Sequence, residues 1–493
     1  MIYSKSYIND VRKYEMNEDL DTFNQERRQH WDIVAEKMEH WSGLGGYYQK
    51  RISTVYRFNI PENSEVLEIG CGSGNLLSAL KPSYGLGYDI SGNMVVRAKR
   101  LHPDLDFIQS DASQMEVNHS FDFVIISDTI NDLWDVQKTL DNVQKLLKPD
   151  GRLIINFYSR LWEFPLKVAA ALKLAKPTLL QNWLTPEDAR NLLELSGFEE
   201  IRHWEEVLMP LPIPILAVIC NKFLVRLWPF RLFALTQFIV ARKKPLTMTQ
   251  EAKAQFKTSV IVPARNEEGN IRQIFERVPK LGKKTEIIFV EGHSKDNTLQ
   301  EIKAQIKKNP QQPAVVYQQT GIGKGDAVRL GFSKASGDIL VILDADLTMP
   351  PEYLPRFYEA LTNESGDFIN GVRLVYPMEK NAMRFLNLLG NKAFSILFTF
   401  ILGQPVKDTL CGTKVLWKKD YEKIIANRKY FGDFDPFGDF DLIFGAAKLN
   451  LKIVDMPIRY QERTYGATNI QRWKHGWLLM QMVLFAARRL KFI

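Results

Sequence analysis

The sequence predicts a protein of two tandem α/β domains, and three observations support this. A chain of 493 residues exceeds the roughly 250–300 residues at which one hydrophobic core stops growing. Short apolar runs alternate with amphipathic stretches in two separate series, as in a mainly parallel sheet covered by helices. A polar segment without apolar periodicity separates the two series. We therefore expect a first domain at 1–244 with a charged helical extension at 1–60, a linker at 245–257, and a second domain at 258–493.

Composition limits the class further. The chain is 45% apolar and 25% charged, which is typical of a globular protein. Its net charge of +8 suits a membrane surface or a phosphorylated substrate, and it is too small to argue for nucleic acid, so we expect no nucleic-acid partner. Three distant cysteines give neither a disulfide framework nor a metal site and favour a reducing compartment. The polar N-terminus has no apolar core of a secretory signal, which predicts a cytoplasmic protein.

Three segments are candidates for contact with a membrane. No apolar run reaches the roughly 20 residues needed to span a bilayer. Residues 207–223 are interrupted by prolines and residues 385–403 by polar side chains, so each is either a buried core helix or a segment in the membrane interface. Residues 471–491 combine aromatic, aliphatic and basic side chains. This last pattern suits an amphipathic interfacial helix, or a helix that packs on its own domain or in a dimer.

A glycine-rich turn follows the first apolar strand. Glu68 lies in that strand, and Gly70, Gly72 and Gly74 follow it. Glycines let the backbone approach a ligand and adopt positive φ. Asp89 ends the next strand, where a carboxylate accepts hydrogen bonds from ribose hydroxyls. A dinucleotide-binding turn would carry a further glycine or alanine where this chain has an asparagine, so the spacing favours another nucleoside cofactor.

With these motifs the first series resembles the class I S-adenosylmethionine-dependent methyltransferases, which have a Rossmann-like fold. Further matches are Ser110-Asp111-Ala112 and the stretch from Leu184 to Phe198, and the resemblance covers about residues 30–245. It implies S-adenosylmethionine as cofactor. By this likeness the methionine part is lined by Glu68, Gly70, Gly72 and Gly74, the ribose is held by Asp89, and the adenine by Asp111 and Ala112.

The methyl acceptor is less defined. Asn131, Asp132 and Trp134 follow the fourth strand, where members of this family often bind substrate. Asp132 is equally consistent with a helix-capping residue. A structural turn that binds no cofactor also stays open as an interpretation of the glycine-rich segment.

Two carboxylates follow an apolar strand in the second series. Asp344 and Asp346 flank Ala345 directly after this strand, and residues i and i+2 of a strand point the same way. Carboxylates together with substrate phosphates are the ligands that Mg²⁺ and Mn²⁺ prefer. We therefore expect Asp344 and Asp346 to hold one of these ions, which would offset charge on a departing nucleoside diphosphate. Such a pair on its own is equally consistent with turn residues.

The neighbouring motifs strengthen this prediction. Val262-Pro-Ala-Arg-Asn-Glu267, Glu291 and Gly321-Ile-Gly-Lys-Gly-Asp-Ala327 lie in the same series. Together they resemble family 2 glycosyltransferases of the GT-A fold over about residues 258–480, and most of all the polyprenyl- or dolichol-phosphate sugar transferases. The resemblance implies that the nucleotide sugar, of the GDP-mannose or UDP-glucose type, contacts Pro263, Arg265, Glu267, Glu291, Lys324, Asp344, Ala345 and Asp346.

Two positions depart from the pattern of that subgroup. Glu291-Gly292 stands where many relatives carry Asp-Asp, which puts recognition of the nucleotide base in doubt. Thr468-Asn469 stands where relatives carry Ser-Lys, which removes one cation near the diphosphate.

The expected acceptor chemistry follows from charge. A lipid phosphate is already an oxyanion, so it needs a strong general base less than a hydroxyl does, and arginine suits phosphate because it binds in a bidentate manner. The family match points to Arg373 and Arg384, with Arg463 as a further candidate, although each is equally consistent with a surface residue. Asp408 and Asp441 are predicted to orient or deprotonate the acceptor.

The sequence thus predicts a bifunctional enzyme that is peripherally associated with the inner face of the membrane. It would transfer a hexose from a nucleotide sugar to polyprenyl phosphate with inversion, and methylate a related glycan or small-molecule intermediate. Two alternatives stay open: the glycosyltransferase acts on a hydroxyl of a surface glycan, or the methyltransferase-like domain serves only as a scaffold. The sequence does not indicate an oligomeric state.

Overall fold

The chain forms two compact units, Met1–Lys244 and Pro245–Ile493, in a computed structural model. The structure describes residues 5–37, 44–115, 117–172, 179–245, 248–376, 385–430, 440–463, 465 and 472–493.

In the described part of the first unit there are seven strands and eight α-helices. The helices are α1 (Lys5–Glu36), α2 (Leu44–Asn59), α3 (Asn75–Ala79), α4 (Gly92–Leu101), α5 (Val136–Leu146), α6 (Glu163–Ala171), α7 (Pro186–Leu195) and the single turn α8 (Leu216–Val218) among the described residues. The strands are β1 (Glu65–Ile69), β2 (Tyr84–Asp89), β3 (Asp106–Gln109), β4 (Phe121–Ser127), β5 (Leu147–Tyr158), β6 (Phe198–Glu206) and β7 (Thr236–Lys243).

These strands form one sheet in the order β3-β2-β1-β4-β5-β7-β6. All neighbours pair in parallel except β7, which runs antiparallel to both β5 and β6. The apolar runs become strands because both faces of the sheet are covered, each by its own hydrophobic core. The helix α5 illustrates how the local sequence specifies a helix. Asp135 caps its first turn, and its buried residues Val136, Leu140 and Val143 recur at helical spacing.

The second unit repeats this plan with a different strand order. Its helices are α9 (Gln250–Lys253), α10 (Glu268–Arg277), α11 (Thr298–Lys308), α12 (Lys324–Lys334), α13 (Leu354–Thr362), α14 (Phe385–Leu402), α15 (Lys418–Ala426), α16 (Phe440–Lys448) and α17 (Arg472–Ala486) among the described residues. Its strands are β8 (Lys257–Ala264), β9 (Lys284–Glu291), β10 (Ala314–Gln318), β11 (Ile339–Ile342), β12 (Phe368–Val372), β13 (Lys414–Trp417) and β14 (Ile453–Pro457).

The sheet order is β10-β9-β8-β11-β13-β12-β14, in which β13 alone runs antiparallel to its neighbours. Strand β11 is buried along its whole length and lies at the centre of the sheet, between β8 and β13. The chain that leaves its carboxyl end therefore emerges at the middle of one edge, which is where open α/β sheets bind ligands.

The predicted fold class, two α/β domains in tandem, is confirmed. The polar segment 245–257 is not structureless, because it contains α9 and ends in the first residue of β8. Tyr358 donates a hydrogen bond to the carbonyl oxygen of Lys253, which ties the end of this segment to the second unit. The predicted C-terminal helix at 471–491 corresponds to α17 and the π-helical turn Ala487–Lys491 that follows it.

The two internal apolar segments differ from ordinary core helices. In 207–223 the described side chains of Ile215, Val218 and Phe223 are exposed. The helix α14 has both buried and exposed apolar side chains, since Phe398 is buried whereas Ile396 is exposed. Among the described helices, none has the length and apolar character that crossing a bilayer requires.

Candidate active sites

The glycine-rich turn after β1 combines tight packing with one open position. Gly70, Gly72 and Gly74 all have positive φ, at 72°, 51° and 73°. A Cβ atom on Gly70 would lie 2.0 Å from Oγ1 of Thr129, and one on Gly74 would lie 2.6 Å from the Phe107 ring. A Cβ atom on Gly72 would meet nothing within 4 Å. The outer two glycines therefore shape the turn, and Gly72 faces the space that a ligand can enter.

Two buried carboxylates support this turn through backbone hydrogen bonds. Glu68 accepts a bond of 3.1 Å from the amide of Leu77, and burial raises its pKa well above the ordinary value. Asp89 accepts bonds from the amides of Gly72 (2.8 Å) and Ser91 (2.9 Å). Burial raises the pKa of Asp89 to about 6, against the lowering effect of these bonds. Each Asp89 oxygen keeps a lone pair for a ribose hydroxyl.

The long helix α1 contributes to the same edge of the sheet. Asp111 accepts a 2.8 Å bond from the side-chain amide of Asn24 as well as bonds from Ser113. Asp32 accepts bonds from the hydroxyl of Ser91 and, at 3.0 Å, from the amide of Asn93. The helix thus contacts the loops after β2 and β3, where the predicted ribose and adenine contacts lie. Sequence reasoning missed this role because α1 showed only a charged helical pattern.

The three residues predicted to contact the methyl acceptor have structural partners. Asn131 is buried, donates to the carbonyl of Asn182 and accepts from the amide of Tyr158. Asp132 accepts a 2.7 Å bond from the indole of Trp31 and lies 3.4 Å from Arg27. The cap of α5 is Asp135, so the proposed capping role of Asp132 is wrong. Trp134 is half exposed and contacts the ring of Phe23.

A polar cluster that sequence reasoning missed lies at the carboxyl end of β4. Asp128, at φ 55°, accepts bonds from the hydroxyl of Tyr48 (2.7 Å) and the side-chain amide of Asn156 (2.5 Å). The Tyr48 hydroxyl also lies 3.1 Å from that of Thr236. Burial, together with the charge of Asp128, raises the pKa of Tyr48 well above its ordinary value. The position of Asp128 at the end of an apolar strand was a usable signal, whereas Tyr48 lies in the N-terminal extension and gave none.

In the second unit each carboxylate of the acidic pair contacts a cationic side chain. Nζ of Lys324, at the start of α12, lies 2.7 Å from Asp344, and Nη2 of Arg463 lies 2.7 Å from Asp346. Asp346 also accepts bonds from the amide and hydroxyl of Thr348. Burial alone would raise the pKa of Asp344, but Lys324 and two further cations outweigh it and lower the pKa. Asp344 is therefore held in its ionised form by its cationic neighbours.

Arg463 joins the acidic pair to a third predicted residue. Its Nη1 lies 3.2 Å from Glu267, which also accepts a 2.8 Å bond from Asn270. Burial raises the pKa of Glu267 to about 7, and the nearby charge of Asp346 adds to this while Arg463 opposes it. Arg463 thus bridges two carboxylates that are 79 positions apart in the chain.

The remaining residues predicted to contact the nucleotide sugar differ in their contacts and exposure. Glu291 is buried and accepts bonds from the amide of Ser294 (2.5 Å) and the side chain of Gln318 (3.1 Å), so it organises the loop after β9. Arg265 is exposed, Pro263 is half buried at the end of β8, and Ala345 is buried between the two aspartates.

Arg373 and Asp408 form one buried ion pair. Nε and Nη2 of Arg373 donate to the two oxygens of Asp408 at 2.7 and 2.9 Å, and the Arg373 amide donates at 3.1 Å. Burial would raise the pKa of Asp408, but Arg373 outweighs it and lowers the pKa. A carboxylate so stabilised in its ionised form is a poor general base, so the structure favours an orienting role for Asp408 over deprotonation.

The other two predicted catalytic residues are Asp441 and Arg384. Asp441 forms ion pairs with Arg428 at 3.0 Å and Arg329 at 3.6 Å, beside an apolar cavity whose lining includes Tyr421 and Ile424. Arg384 lies outside the described residues, as do Thr468 and Asn469.

Two neighbours of the acidic pair were not predicted as site residues. A Cβ atom on Gly412 would lie 1.9 Å from Oδ2 of Asp344, so a larger residue there would displace the Asp344 carboxylate. Lys414 is fully buried, donates to the carbonyl of Cys411, and contributes to the lowered pKa of Asp344. Both lie in the segment 408–414, which matches the family pattern as a whole but in which only Asp408 was assigned a predicted role.

The donors present at the two sites bear on a metal ion in the second unit and on a nucleoside cofactor in the first. Among the described residues, no group of three or more His, Cys, Asp or Glu side chains converges on one point. Asp344 and Asp346 supply two hard oxygen donors, and a substrate diphosphate would supply the rest, which is the usual mode for Mg²⁺. The open position at Gly72 and the paired amide bonds of Asp89 fit a nucleoside cofactor.

Comparison with known proteins finds a different family match in each of the two units. Residues 60–197 match the family described as "Methyltransferase domain", and residues 259–425 match "Glycosyl transferase family 2". The first unit is thus similar to a methyltransferase domain and the second unit to family 2 glycosyltransferases.

Two curated proteins are similar to part of this chain. The chain is 30% identical to the dolichol-phosphate mannosyltransferase of Pyrococcus furiosus over 220 residues, which are 44% of this chain and 59% of that protein. It is 31% identical to the undecaprenyl-phosphate 4-deoxy-4-formamido-L-arabinose transferase of Proteus mirabilis over 145 residues, 28% of this chain and 44% of that protein.

A crystal structure of a possible histamine N-methyltransferase from Thermotoga maritima is 18% identical, with a TM-score of 0.36, over 44% of this chain and 99% of that one. The chain spans about half the length of the curated relatives named here.

Proposed function

We propose that the second unit transfers a hexose from a nucleotide sugar to polyprenyl phosphate with inversion of configuration. The observation that carries this proposal is the acidic pair at the carboxyl end of β11, in which Asp344 and Asp346 each contact a cationic side chain. Two relatives that are named as transferases to dolichol or undecaprenyl phosphate support the choice of acceptor.

The charges of this site suit a phosphorylated donor. A Mg²⁺ or Mn²⁺ ion held by Asp344 and Asp346 would offset negative charge on the departing nucleoside diphosphate. Lys324 and Arg463, which now contact these aspartates, are the positive groups available to the diphosphate oxygens. Glu267 holds Arg463 from the other side and so positions it.

The acceptor is proposed to bind beside the ion pair of Arg373 and Asp408. In this pair the Nε and Nη2 groups of Arg373 are directed at Asp408, and its guanidinium lies 5.1 Å from the ring of Tyr460. Asp408 therefore fixes the position of the Arg373 guanidinium beside the proposed acceptor site. The lowered pKa of Asp408 favours a phosphate acceptor over a hydroxyl, because a phosphate does not need to be deprotonated.

We propose that the first unit binds S-adenosylmethionine and methylates a related glycan or small-molecule intermediate. The cofactor, when bound, supplies the methyl group. Asp89 would hold its ribose, Gly72 would leave room for its approach, and Asp111 with Ala112 would contact its adenine. The cluster of Asp128 and Tyr48 is proposed to position the acceptor, because it lies at the carboxyl end of β4.

We further propose that the protein works at the inner face of the membrane. Exposed apolar side chains on α14 and α17, such as Ile396, Trp477 and Leu484, support peripheral contact of the second unit with lipid.

A transfer assay tests the main proposal. Purified protein is incubated with Mn²⁺ and labelled GDP-mannose or UDP-glucose, with and without polyprenyl phosphate, and label is followed into the organic phase. We expect lipid-dependent transfer that is lost in Asp346→Asn and kept in Glu352→Gln, which alters an exposed ion pair with Arg277. Donor hydrolysis without labelled lipid would overturn the lipid acceptor and turn the search to glycan hydroxyls.

A further inference from the structure

An insertion in the first unit exposes an unusual amount of apolar surface. Residues 207–235 connect β6 to β7, and most of their large apolar side chains face outward. Ile215 and Trp228 are each 74% exposed, and Phe233 is 60% exposed. Soluble monomers rarely expose contiguous apolar surface on this scale without a binding role.

A second exposed segment lies directly beside this insertion. In residues 160–172 the side chains of Leu161, Phe164 and Leu172 are exposed, Phe164 by 76%. The indole of Trp162 donates a 2.9 Å bond to the carbonyl of Phe233, which joins the two segments. We call the combined surface, residues 160–172 and 211–233, the apolar face.

The outward direction of these side chains is fixed by polar contacts inside the insertion. Asn221 is buried, accepts bonds from the amides of Leu208 and Met209, and donates to the hydroxyl of Tyr47. Arg226 is also buried and pairs with Glu206. The insertion therefore places polar groups inside and apolar groups outside, which is the reverse of an ordinary surface loop.

The charge of the apolar face suits an anionic partner. Residues 207–235 contain no Asp or Glu, and they carry the exposed Arg231 and the half-exposed Lys222. Arg160 is exposed in the neighbouring segment, where the one acidic residue, Glu163, is paired with Lys167. Aromatic and aliphatic side chains with basic neighbours suit the boundary of an anionic bilayer. In a symmetric dimer through this face, like charges would meet.

We propose that the apolar face docks the first unit on an anionic lipid bilayer, with Phe164, Trp228 and Phe233 entering the headgroup boundary. The docking does not depend on what either unit catalyses. It is separate from the contact proposed above for the second unit, because it uses a different surface.

Vesicle binding by the full chain tests this proposal. Sedimentation is measured with vesicles of phosphatidylcholine and phosphatidylglycerol and with vesicles of phosphatidylcholine alone. For the double variant Trp228→Ser/Phe233→Ser, partitioning into the mixed vesicles should fall by about tenfold or more, since each buried aromatic side chain contributes strongly. The matched control Val96→Ser/Leu195→Ser, which changes side chains 68% and 60% exposed elsewhere in the unit, should bind like the wild type.

A charge variant and a local measurement complete the test. Lys222→Gln/Arg231→Gln should weaken binding to mixed vesicles and leave binding to phosphatidylcholine unchanged. In the wild type, amide hydrogen exchange of residues 207–233 should slow when mixed vesicles are added, even if the serine variant fails to fold.

Two outcomes would overturn the proposal. If the serine variant binds vesicles as the wild type does and exchange is unchanged, the first unit does not dock, although membrane contact by the second unit still stands. If the serine variant instead changes only the oligomeric state, the face binds a second copy of the chain.

Discussion

The two candidate sites hold their carboxylates in opposite ways. In the first unit Asp89 and Glu68 accept bonds from backbone amides, and burial raises the pKa of both. In the second unit Asp344 and Asp346 contact Lys324 and Arg463, and the pKa of Asp344 is lowered. The first arrangement suits hydrogen bonding to the hydroxyls of a cationic cofactor. The second suits the proposed anionic substrate and metal ion, which would separate the cations from the carboxylates.

The largest effect is expected where a buried charge loses its partner. Arg373→Met leaves the Asp408 carboxyl almost fully buried without its cationic partner, which should cost about 3–5 kcal/mol of unfolding free energy. Denaturant unfolding measures this cost. The double variant Arg373→Met/Asp408→Leu should be clearly more stable than the single variant, and equal stability of the two would contradict the buried ion pair.

The second-largest effect is expected on the affinity for S-adenosylmethionine. Asp89→Ala removes a charged acceptor of two hydroxyl bonds, so affinity for S-adenosylmethionine should fall by about ten- to a hundredfold. Isothermal titration calorimetry checks this, with Asp104→Ala, an exposed aspartate of the same unit, as the control. Unchanged affinity in Asp89→Ala would support the scaffold interpretation of the first unit.

The comparison also predicts a pH dependence in the first unit. Because burial raises the pKa of Asp89 to about 6, the free protein protonates it as the pH falls below about 6, and the neutral carboxyl is a weaker acceptor. S-Adenosylmethionine should favour the ionised form, so its affinity should fall by up to about tenfold per pH unit below 6. In Asp89→Asn the affinity should be lower and should vary little over this range; a parallel decline would assign the titration to another group.

The smallest effect tests the contribution of α1. Asn24→Ala removes one hydrogen bond to Asp111, which should cost about 1 kcal/mol, or a few-fold in affinity for S-adenosylmethionine. The same titration measures this. Exposed Glu26→Ala on the same helix should have no effect, and an equal loss in both variants would mean that α1 acts through its stability alone.

The sequence predicted the parts of the molecule that depend on local patterns. Apolar runs such as those of β1 and β11 marked the strands, and the chain positions of Asp89 and Asp346 relative to strand ends marked the sites. Contacts between distant residues could not be predicted in this way. Arg373 and Asp408 are 35 positions apart, and Tyr48 and Asp128 are 80 apart. Nothing local in either segment specifies such a partner.

The insertion at 207–235 shows a second limit of prediction from the sequence. The apolar composition of its first part, residues 207–223, is that of a core helix, so the sequence left a buried and an interfacial location open for this part. The three-dimensional arrangement decides between burial and exposure, because Asn221 and Arg226 occupy the inside of the insertion. Periodicity could not show this, since prolines interrupt the segment.

Manganese binding tests the account of the second unit most directly. Lys324 and Arg463 contact the two aspartates in the free protein, so Mn²⁺ should bind weakly until a nucleoside diphosphate offers these cations another partner. Electron paramagnetic resonance of free Mn²⁺ is followed during titration with protein, with and without GDP or UDP. We predict tight binding only when a nucleotide is present, and its loss in Asp346→Asn. Equal Mn²⁺ binding without nucleotide, or in the variant, would contradict the account.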